Sequence, residues 1–286
     1  INKACSSSLK AIELAAQSIM VGDCEIVIAG GVESMSNIPY LLTKARWGYR
    51  LGHGELIDAQ YRDGIFCPLA NMLMGRTAEN LVEKYNLTRE QLDRYACESQ
   101  HKAERAIKEG RLKDEIVPVE IVHEIKGKKE TTIVDTDEHP RFGMTMEKLA
   151  KLKPLYKEDG TVTAGNTCGI NDAGAAVVLA SATKAKELGL NPMARIVSYA
   201  SGAVDPYYMG LGPVPATKKA LKKAGDIPDA VIADHAGDIY MALGNKKKAV
   251  KYWKLALSIY STDLNPKEVK RKIKNVLKSM EQKSSL

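Results

Sequence analysis

The sequence predicts an α/β protein followed by an all-α tail, and three observations support this. Apolar side chains recur at the spacing of one helix face in the first twenty residues, and an apolar run at 25–29 follows directly. Segments of helical and strand character then alternate as far as residue 224. Beyond Gly225 the spacing of small and large residues fits paired helices instead. We therefore expect two different kinds of folding unit.

Length and composition fit about two domains. The chain has 286 residues, of which 44% are hydrophobic, and this can supply a core. No apolar run approaches the roughly 18 residues that a membrane span needs, so we expect no membrane segment and a cytoplasmic location. The start at Ile1 indicates a fragment or a processed chain.

The cysteines are odd in number, widely spread and without the paired spacing of a zinc or redox site. We expect reduced thiols, no metal site, and a chemical role for the first one only. They are Cys5, Cys24, Cys67, Cys97 and Cys168.

The basic charge is concentrated in the tail. Residues 215–286 contain sixteen Lys or Arg and seven Asp or Glu, a net charge of +9, whereas the whole chain carries +7. A solvated face explains this better than a nucleic-acid site, because no interleaved aromatic residues or nucleic-acid motif accompany the charge. We expect no nucleic-acid partner.

Cys5 lies where a helix is predicted to begin. The periodic residues Leu9, Ile12, Ala16 and Ile19 define that helix, and small residues flank the cysteine. A helix N-terminus directs N–H groups and positive charge towards the sulfur, which favours the reactive thiolate. A buried structural cysteine is the alternative for this position.

The predicted elements continue in order along the chain. Gly22-Asp23 should end the first helix, 25–29 should form a buried strand, and Gly30-Gly31 should turn the chain. Thr88 with Gln91 makes a capping box that begins a helix reaching about Gly110. Residues 115–134 should form a two-stranded ribbon that turns at Gly127-Lys128.

The segment from Thr161 to Gly174 is a glycine-rich loop with two interpretations. Its backbone N–H groups could face a polar ligand, or Gly165, Gly169 and Gly174 could supply positive φ in tight turns. Further elements are expected after it: a buried strand at 174–180, a short helix at 184–188, a strand at 195–199 and a helix at 213–224.

Seven segments occur in order over about 225 residues: Asn2–Ala11, Gly30–Ser36, Met74–Asn80, Ser99–Ala103, Asp114–Val119, Gly160–Asn166 and Gly212–Thr217. Together they resemble motifs of the thiolases, the acyl-CoA C-acetyltransferases. The resemblance implies an incomplete thiolase fold of layered helices and sheets with an inserted loop domain. It also implies an acyl-CoA substrate, with no permanently bound cofactor, and Cys5 as the nucleophile that forms an acyl thioester.

The resemblance further implies coenzyme A contacts. Met74 is retained beside Gly75, and Ala164 lies in the loop that would touch the pantetheine arm. Cys168 occupies a position where the family usually has serine, and a thiol is a weaker hydrogen-bond partner. Arg141 matches an arginine near the nucleotide end of coenzyme A, with a solvated surface charge as the alternative.

Three motifs that thiolases carry later in the chain do not occur in the 286 residues: Asn-Glu-Ala-Phe, Gly-His-Pro, whose histidine activates the nucleophile, and Cys-x-Gly-Gly-Gly, whose cysteine moves protons. We therefore expect a truncated, fused thiolase that does not condense or cleave acyl-CoA on its own. The histidines present are His53, His101, His123, His139 and His235.

The tail resembles one tetratricopeptide repeat at about 230–259, with an ordinary helical hairpin as the alternative. The matching positions are Gly237, Tyr240, Leu243, Gly244, Ala249, Tyr252, Ala256 and Leu257. Asn265-Pro266 should begin a further basic helix. One repeat cannot bury both of its faces, so it must pack on something else.

Four segments with separate roles are expected: 1–40 with the nucleophile helix, 41–160 as the loop domain, 161–225 as the end of the first thiolase half and the start of the second, and 226–286 as the tail. Possible partners are a second copy or a complementary thiolase chain, and a protein bound by the tail. The alternative function is a protein-interaction module.

Overall fold

The computed structural model describes residues 1–125, 128–225, 230–242, 244–258 and 265–284. They form two compact units, described separately below. The first comprises residues 1–195 and 203–213, and the second comprises residues 196–202 and 214–286.

The described helices are α1 Ser7–Met20, α2 Met74–Tyr85, α3 Arg89–Lys108, α4 Met146–Ala150, α5 Ala182–Glu187, α6 Pro213–Ala224, α7 Ala230–Ala242, α8 Lys246–Ser258 and α9 Pro266–Ser284. The described strands are β1 Ile26–Ser34, β2 Tyr40–Leu41, β3 Ile57–Asp58, β4 Phe66–Cys67, β5 Met72–Leu73, β6 Val119–Ile125, β7 Lys128–Val134 and β8 Asp172–Ala180. None of the described helices is both long and apolar enough to cross a membrane.

Strands β1 and β8 form an antiparallel ribbon under helix α1. Their register runs from Ile26 opposite Ala180 to Ser34 opposite Asp172. One face packs on the helix and buries a small apolar cluster of Ala15, Ala16, Ala29 and Leu179, with Ile12, Ile19 and Val27 partly buried against it.

The prediction of two buried strands is wrong for most of this ribbon. On the face away from α1, Ile28 is 73% exposed, Val32 85% and Val178 66%. A two-stranded ribbon covered by one helix has a second face that this helix cannot reach. Leu9 was expected on the packed helix face, but it is 71% exposed because it lies at the N-terminal end, outside the buried cluster.

The expected turn at Gly30-Gly31 is also wrong, because both residues lie inside β1. A Cβ on Gly30 would overlap the carbonyl oxygen of Ala175, and a Cβ on Gly31 would overlap the hydroxyl of Ser8. These glycines allow the close approach of β8 and of the start of α1, rather than a change of chain direction. The expected stop of α1 is confirmed, with Gly22 at a φ of +85°.

The capping box that begins α3 is confirmed. The Gln91 N–H donates to the Thr88 hydroxyl oxygen at 3.2 Å, and the Thr88 N–H donates to Gln91 Oε1 at 2.8 Å. The predicted ribbon is present as β6 and β7, which pair from Val119 opposite Val134. Gly127, at its predicted turn, lies outside the described residues.

The predicted strand at 195–199 is absent, since these residues have no regular structure. A strand requires a neighbour for its backbone groups, and none of the described strands pairs with this segment. Hydrogen bonds with α6 hold it instead: Lys223 Nζ of α6 donates to the Tyr199 carbonyl oxygen, and the Ser198 hydroxyl donates to the Ala220 carbonyl oxygen of α6. The predicted helices at 184–188 and 213–224 are present as α5 and α6.

The second unit has a helical core built on α8. Ala249, Val250 and Trp253 of α8 pack with Val269 and Val276 of α9. The Trp253 indole N–H donates to Asp238 Oδ1 of α7 at 3.0 Å.

The paired helices predicted at about 230–259 and the basic helix after Asn265 are therefore both present. Leu243 and Ile259 lie outside the described residues. Gly237 of α7 is one of the small residues of the repeat pattern. It packs on the Trp253 ring so closely that a Cβ on it would overlap the ring.

Ion pairs add to the contact between α9 and α7. Lys272 Nζ lies 3.0 Å from Asp234 Oδ1 and 2.8 Å from Asp238 Oδ2. Burial would lower the pKa of Lys272, but the hydrogen bonds to Asp238 and Asp234 outweigh that effect, so the pKa is raised. The third helix therefore covers a surface that a single helical pair would leave open.

Candidate active site

Cys5 sits on a strained turn directly before α1. Ala4 has a φ of +47°, in the left-handed region that side chains with a Cβ rarely occupy. Hydrogen bonds hold this turn: the Ala4 N–H donates to Asn2 Oδ1 at 3.0 Å, and the Ser7 hydroxyl donates to the Ala4 carbonyl oxygen at 2.7 Å. The residue before the cysteine is thus held in place by polar neighbours from its own motif.

The Cys5 side chain is exposed, so the alternative of a buried structural cysteine is wrong. Among the residues that the structure describes, none hydrogen-bonds to its sulfur. The helix cap, Ser6, makes no side-chain bond to the first turn. Since the first N–H groups of a helix lack partners within it, this end of α1 can donate to an anionic group of a ligand.

A buried carboxylate of α2 holds the start of the glycine-rich loop. Glu79 is 2% exposed, and its Oε1 accepts the N–H groups of Thr161 at 2.8 Å and Val162 at 2.7 Å. Its Oε2 accepts the Thr161 hydroxyl at 3.0 Å. A carboxylate that accepts three hydrogen bonds compensates for its loss of water on burial.

A second buried carboxylate holds the middle of the same loop from α3. Asp93 Oδ1 accepts the Asn166 amide at 2.9 Å, while its Oδ2 pairs with Arg89 Nε at 2.7 Å. Arg89 also donates to the carbonyl oxygens of Leu149 and Leu152, at 2.7 and 2.9 Å. The loop, α3 and the end of α4 are therefore joined by one polar network.

Two of the loop glycines allow close packing, and none of the three has a positive φ. Neither Gly165, Gly169 nor Gly174 has a positive φ, so that interpretation of the loop is wrong. A Cβ on Gly165 would overlap the side chain of Leu149, and a Cβ on Gly169 would overlap the His139 ring. Gly174 lies within β8.

The segment that contains Arg141 runs beside α3. The Arg141 N–H donates to Gln100 Oε1 at 2.7 Å, and the Gly143 N–H donates to Glu104 Oε2 at 2.9 Å. The hydrogen bond from Lys108, together with that N–H, lowers the pKa of Glu104. The Arg141 side chain is exposed.

The structure brings the predicted coenzyme A residues onto connected elements. Met74 is half-buried at the start of α2, the helix whose Glu79 binds the loop that carries Ala164. Cys168 is exposed and adjacent to Gly169, against which His139 packs, two residues before Arg141. No hydrogen bond between described residues joins any of these four to Cys5.

The end of the loop is tied to the far end of β1. Asp172 Oδ1 accepts the Ser36 N–H at 2.9 Å, and its other oxygen accepts the Ser36 hydroxyl. These bonds, that of the Ser36 hydroxyl above all, lower the pKa of Asp172. Through β8 and β1 the loop is thereby continuous with the ribbon that α1 covers.

Sequence reasoning missed the four residues that organise the loop: Glu79, Arg89, Asp93 and Asn166. A signal was available for two of them, because Glu79 and Asn166 lie inside segments already singled out as motifs. Within the described part of the chain, no group of three or more His, Cys, Asp or Glu is arranged to hold a metal ion.

These features define an α/β protein with an exposed cysteine at a helix N-terminus and a glycine-rich loop held by buried carboxylates. The thiolase N-terminal domain model matches residues 1–183, and the thiolase C-terminal domain model matches residues 190–232. The chain belongs to the thiolase family. The C-terminal match extends past Gly225, although the resemblance in the sequence was expected to end there.

Individual relatives agree with this. An acetyl-CoA acetyltransferase of Pseudomonas aeruginosa is 53% identical over 225 residues, which are 79% of this chain and 56% of that protein. The acetyl-CoA acetyltransferase from Syntrophomonas wolfei has a similar structure, with a TM-score of 0.74 and 47% identity over 80% of this chain and 57% of that one. Human mitochondrial 3-ketoacyl-CoA thiolase in complex with CoA gives a TM-score of 0.71 and 41% identity, over 79% and 55% of the two chains.

The chain thus spans little more than half the length of the relatives it matches.

The buried carboxylate on α2 provides a direct test of the loop anchor. We expect Glu79→Ala to lower the free energy of unfolding by about 3 kcal/mol, because it leaves two backbone N–H groups of the loop without their acceptor. Urea unfolding followed by circular dichroism measures this. Glu83→Ala, one turn further along α2, removes an exposed carboxylate paired with Lys157 and should change stability little. Equal effects of the two substitutions would contradict the anchoring role.

Proposed function

We propose that the chain carries out the acyl-transfer half-reaction of a thiolase-type acyl-CoA C-acetyltransferase, with Cys5 as nucleophile. The Cys5 thiolate attacks the carbonyl carbon of an acyl-CoA thioester. A carbon–sulfur bond forms to Cys5, the bond to the coenzyme A sulfur breaks, and coenzyme A leaves as a thiolate that takes up a proton. The observation that carries this proposal is the exposed Cys5 at the start of α1, within a thiolase motif and on a turn held by that motif.

For coenzyme A we propose contacts from Met74, Arg141, Ala164 and Cys168. Two facts support them: they lie on segments joined by the Glu79 and Asp93 network, and Ala164, Cys168 and Arg141 are exposed. The backbone N–H groups of Thr161, Val162 and Gly165 are bonded within the protein, so in this arrangement the exposed Ala164 and Cys168 contact the pantetheine arm. Arg141 supplies positive charge for phosphate. No permanently bound cofactor is part of the proposal.

We propose that the 286-residue chain by itself forms the acyl-enzyme slowly and does not complete condensation or thiolysis. Its residues include no Gly-His-Pro histidine to activate Cys5 and no second cysteine in a Cys-x-Gly-Gly-Gly segment. A missing general base typically costs a factor of about 10² to 10⁴ in rate, and a missing oxyanion donor costs a comparable factor. A second copy or a complementary thiolase chain is the partner that could supply those groups.

The four-segment division belongs to the same proposal: the nucleophile segment 1–40, the loop domain 41–160, the transition 161–225 and the tail 226–286. The exposed outer face of the β1–β8 ribbon supports it, because a further layer of a thiolase half would cover such a face.

Incubation with acetyl-CoA tests the half-reaction. We expect intact-protein mass spectrometry to show one acetyl group, and peptide mapping to place it on Cys5, with no acetoacetyl-CoA formed. Cys5→Ala should abolish the adduct, whereas Cys24→Ala, which removes a thiol hydrogen-bonded to Ser18, should keep it. An adduct that persists in Cys5→Ala, or a folded protein that acquires none, would refute the proposal.

A second candidate function is protein binding by the tail, as a tetratricopeptide-like helical module. The packing of Gly237 on Trp253 favours it, because a small residue facing a large one across two helices is what the repeat pattern requires. In this account α9 takes the place of the neighbouring repeat that a single unit lacks.

Chemical cross-linking of the full chain in extracts of its source tests the module. We expect cross-links from α7 and α8 to one partner, and reconstitution of the complex from the two purified proteins. Trp253→Ala should abolish the complex while leaving acetylation of Cys5 intact, and Lys251→Ala, on the surface of α8, should preserve it. If purified components form no complex, the tail does not serve this function.

A further inference from the structure

We infer that the second unit carries a binding site for a small phosphate polyanion, in a cavity between α6 and the α7–α8 pair. The cavity has a volume of about 570 Å³, within the range of small-molecule sites. Its lining combines lysines of two helices with a pair of tyrosines. All of its lining residues belong to the second unit, and the inference does not depend on the acyl-transfer proposal.

Three lysines line this cavity. Lys218 and Lys222 lie one turn apart on α6, and Lys248 lies on α8. Among the described residues, no carboxylate pairs with any of them. This differs from Lys272 on α9, whose ammonium is neutralised by Asp234 and Asp238. Like charges that face one cavity repel each other, and a bound anion would relieve that repulsion.

Aromatic residues give one wall of the cavity a fixed shape. The rings of Tyr240 and Tyr252 stack with centroids 5.2 Å apart and an angle of 20° between their planes. Lys248 Nζ lies 5.1 Å from the centre of the Tyr240 ring, a cation–π distance that holds the ammonium at the wall. At least one of the three cations is therefore positioned before any ligand arrives.

A polar group adds hydrogen-bonding capacity beside Lys248. Asn245 lines the cavity, and its side-chain oxygen accepts the Lys248 N–H at 3.1 Å, where it caps the start of α8. Its amide nitrogen is then the part that can donate to a ligand. Asn245 and Lys248 therefore both lie at the first turn of α8.

The chemistry favours phosphate over carboxylate. All three lining cations are lysines, which act as point charges and therefore respond to the charge density of a ligand rather than to the planar shape of a carboxylate. A compact ligand must also carry several negative charges to engage cations from two helices at once. Oligophosphates meet both conditions, and they could be free in solution or belong to a lipid headgroup.

Calorimetric titration of the full 286-residue chain with inorganic tripolyphosphate tests the site. We expect saturable binding, with a dissociation constant that rises about tenfold in the double variant Lys218→Gln, Lys222→Gln. The matched control is Lys247→Gln, Lys251→Gln, which removes two exposed lysines at the same spacing on α8, outside this cavity, and should change the constant less than about twofold. Circular dichroism melts establish that both variants are folded.

Two further arms identify the ligand class and its source. Citrate, a compact tricarboxylate, should bind at least about tenfold more weakly than tripolyphosphate. Vesicles of phosphatidylcholine containing a phosphorylated phosphatidylinositol identify a lipid headgroup if they bind with the same dependence on Lys218 and Lys222, and a soluble ligand if they do not. Equal losses in the two double variants would show non-specific charge attraction only and overturn the inference, as would the absence of saturable binding or tighter binding of citrate.

Discussion

The carboxylate of Glu79, buried under the glycine-rich loop, is the interaction on which the rest of the first unit depends. It bonds to two successive backbone N–H groups of the loop and to the Thr161 hydroxyl, so the loop cannot move away without leaving a buried charge unpaired. Asp93 repeats this arrangement from α3. The loop continues into β8, and β8 pairs with β1 beneath α1. The anchored loop is therefore connected to the elements that support Cys5.

Cys5 is held differently, by short-range hydrogen bonds around a strained turn. Ala4 keeps a left-handed backbone because Asn2 and Ser7 bond to its N–H and carbonyl groups, and Gly31 allows β1 to approach Ser8. These contacts leave the sulfur exposed at the positive end of α1. A positioned cysteine beside a helix N-terminus and a pre-formed loop suit the proposed acyl transfer from a thioester.

Local signals in the sequence predicted the elements well where one residue decides the outcome. The capping box at Thr88 and the glycine after α1 each specify a hydrogen bond or a backbone angle, and both predictions are confirmed. Burial was harder to predict, because an apolar run such as that of β1 does not reveal how many of its faces are covered. The glycine pair at Gly30 was misjudged since close approach and positive φ give the same sequence signal. Asp93 and Arg89 act across long sequence separations, which periodicity does not detect.

Amide hydrogen exchange measured by NMR tests most directly whether buried carboxylates hold the loop in place. The N–H groups of Thr161 and Val162 should exchange at least about tenfold more slowly than those of the exposed, irregular segment 50–55. In Glu79→Ala this protection should disappear, while the amides in the middle of α3 remain protected. If Thr161 and Val162 exchange as fast as the exposed segment in the unsubstituted protein, the loop is not held by Glu79 and the account is contradicted.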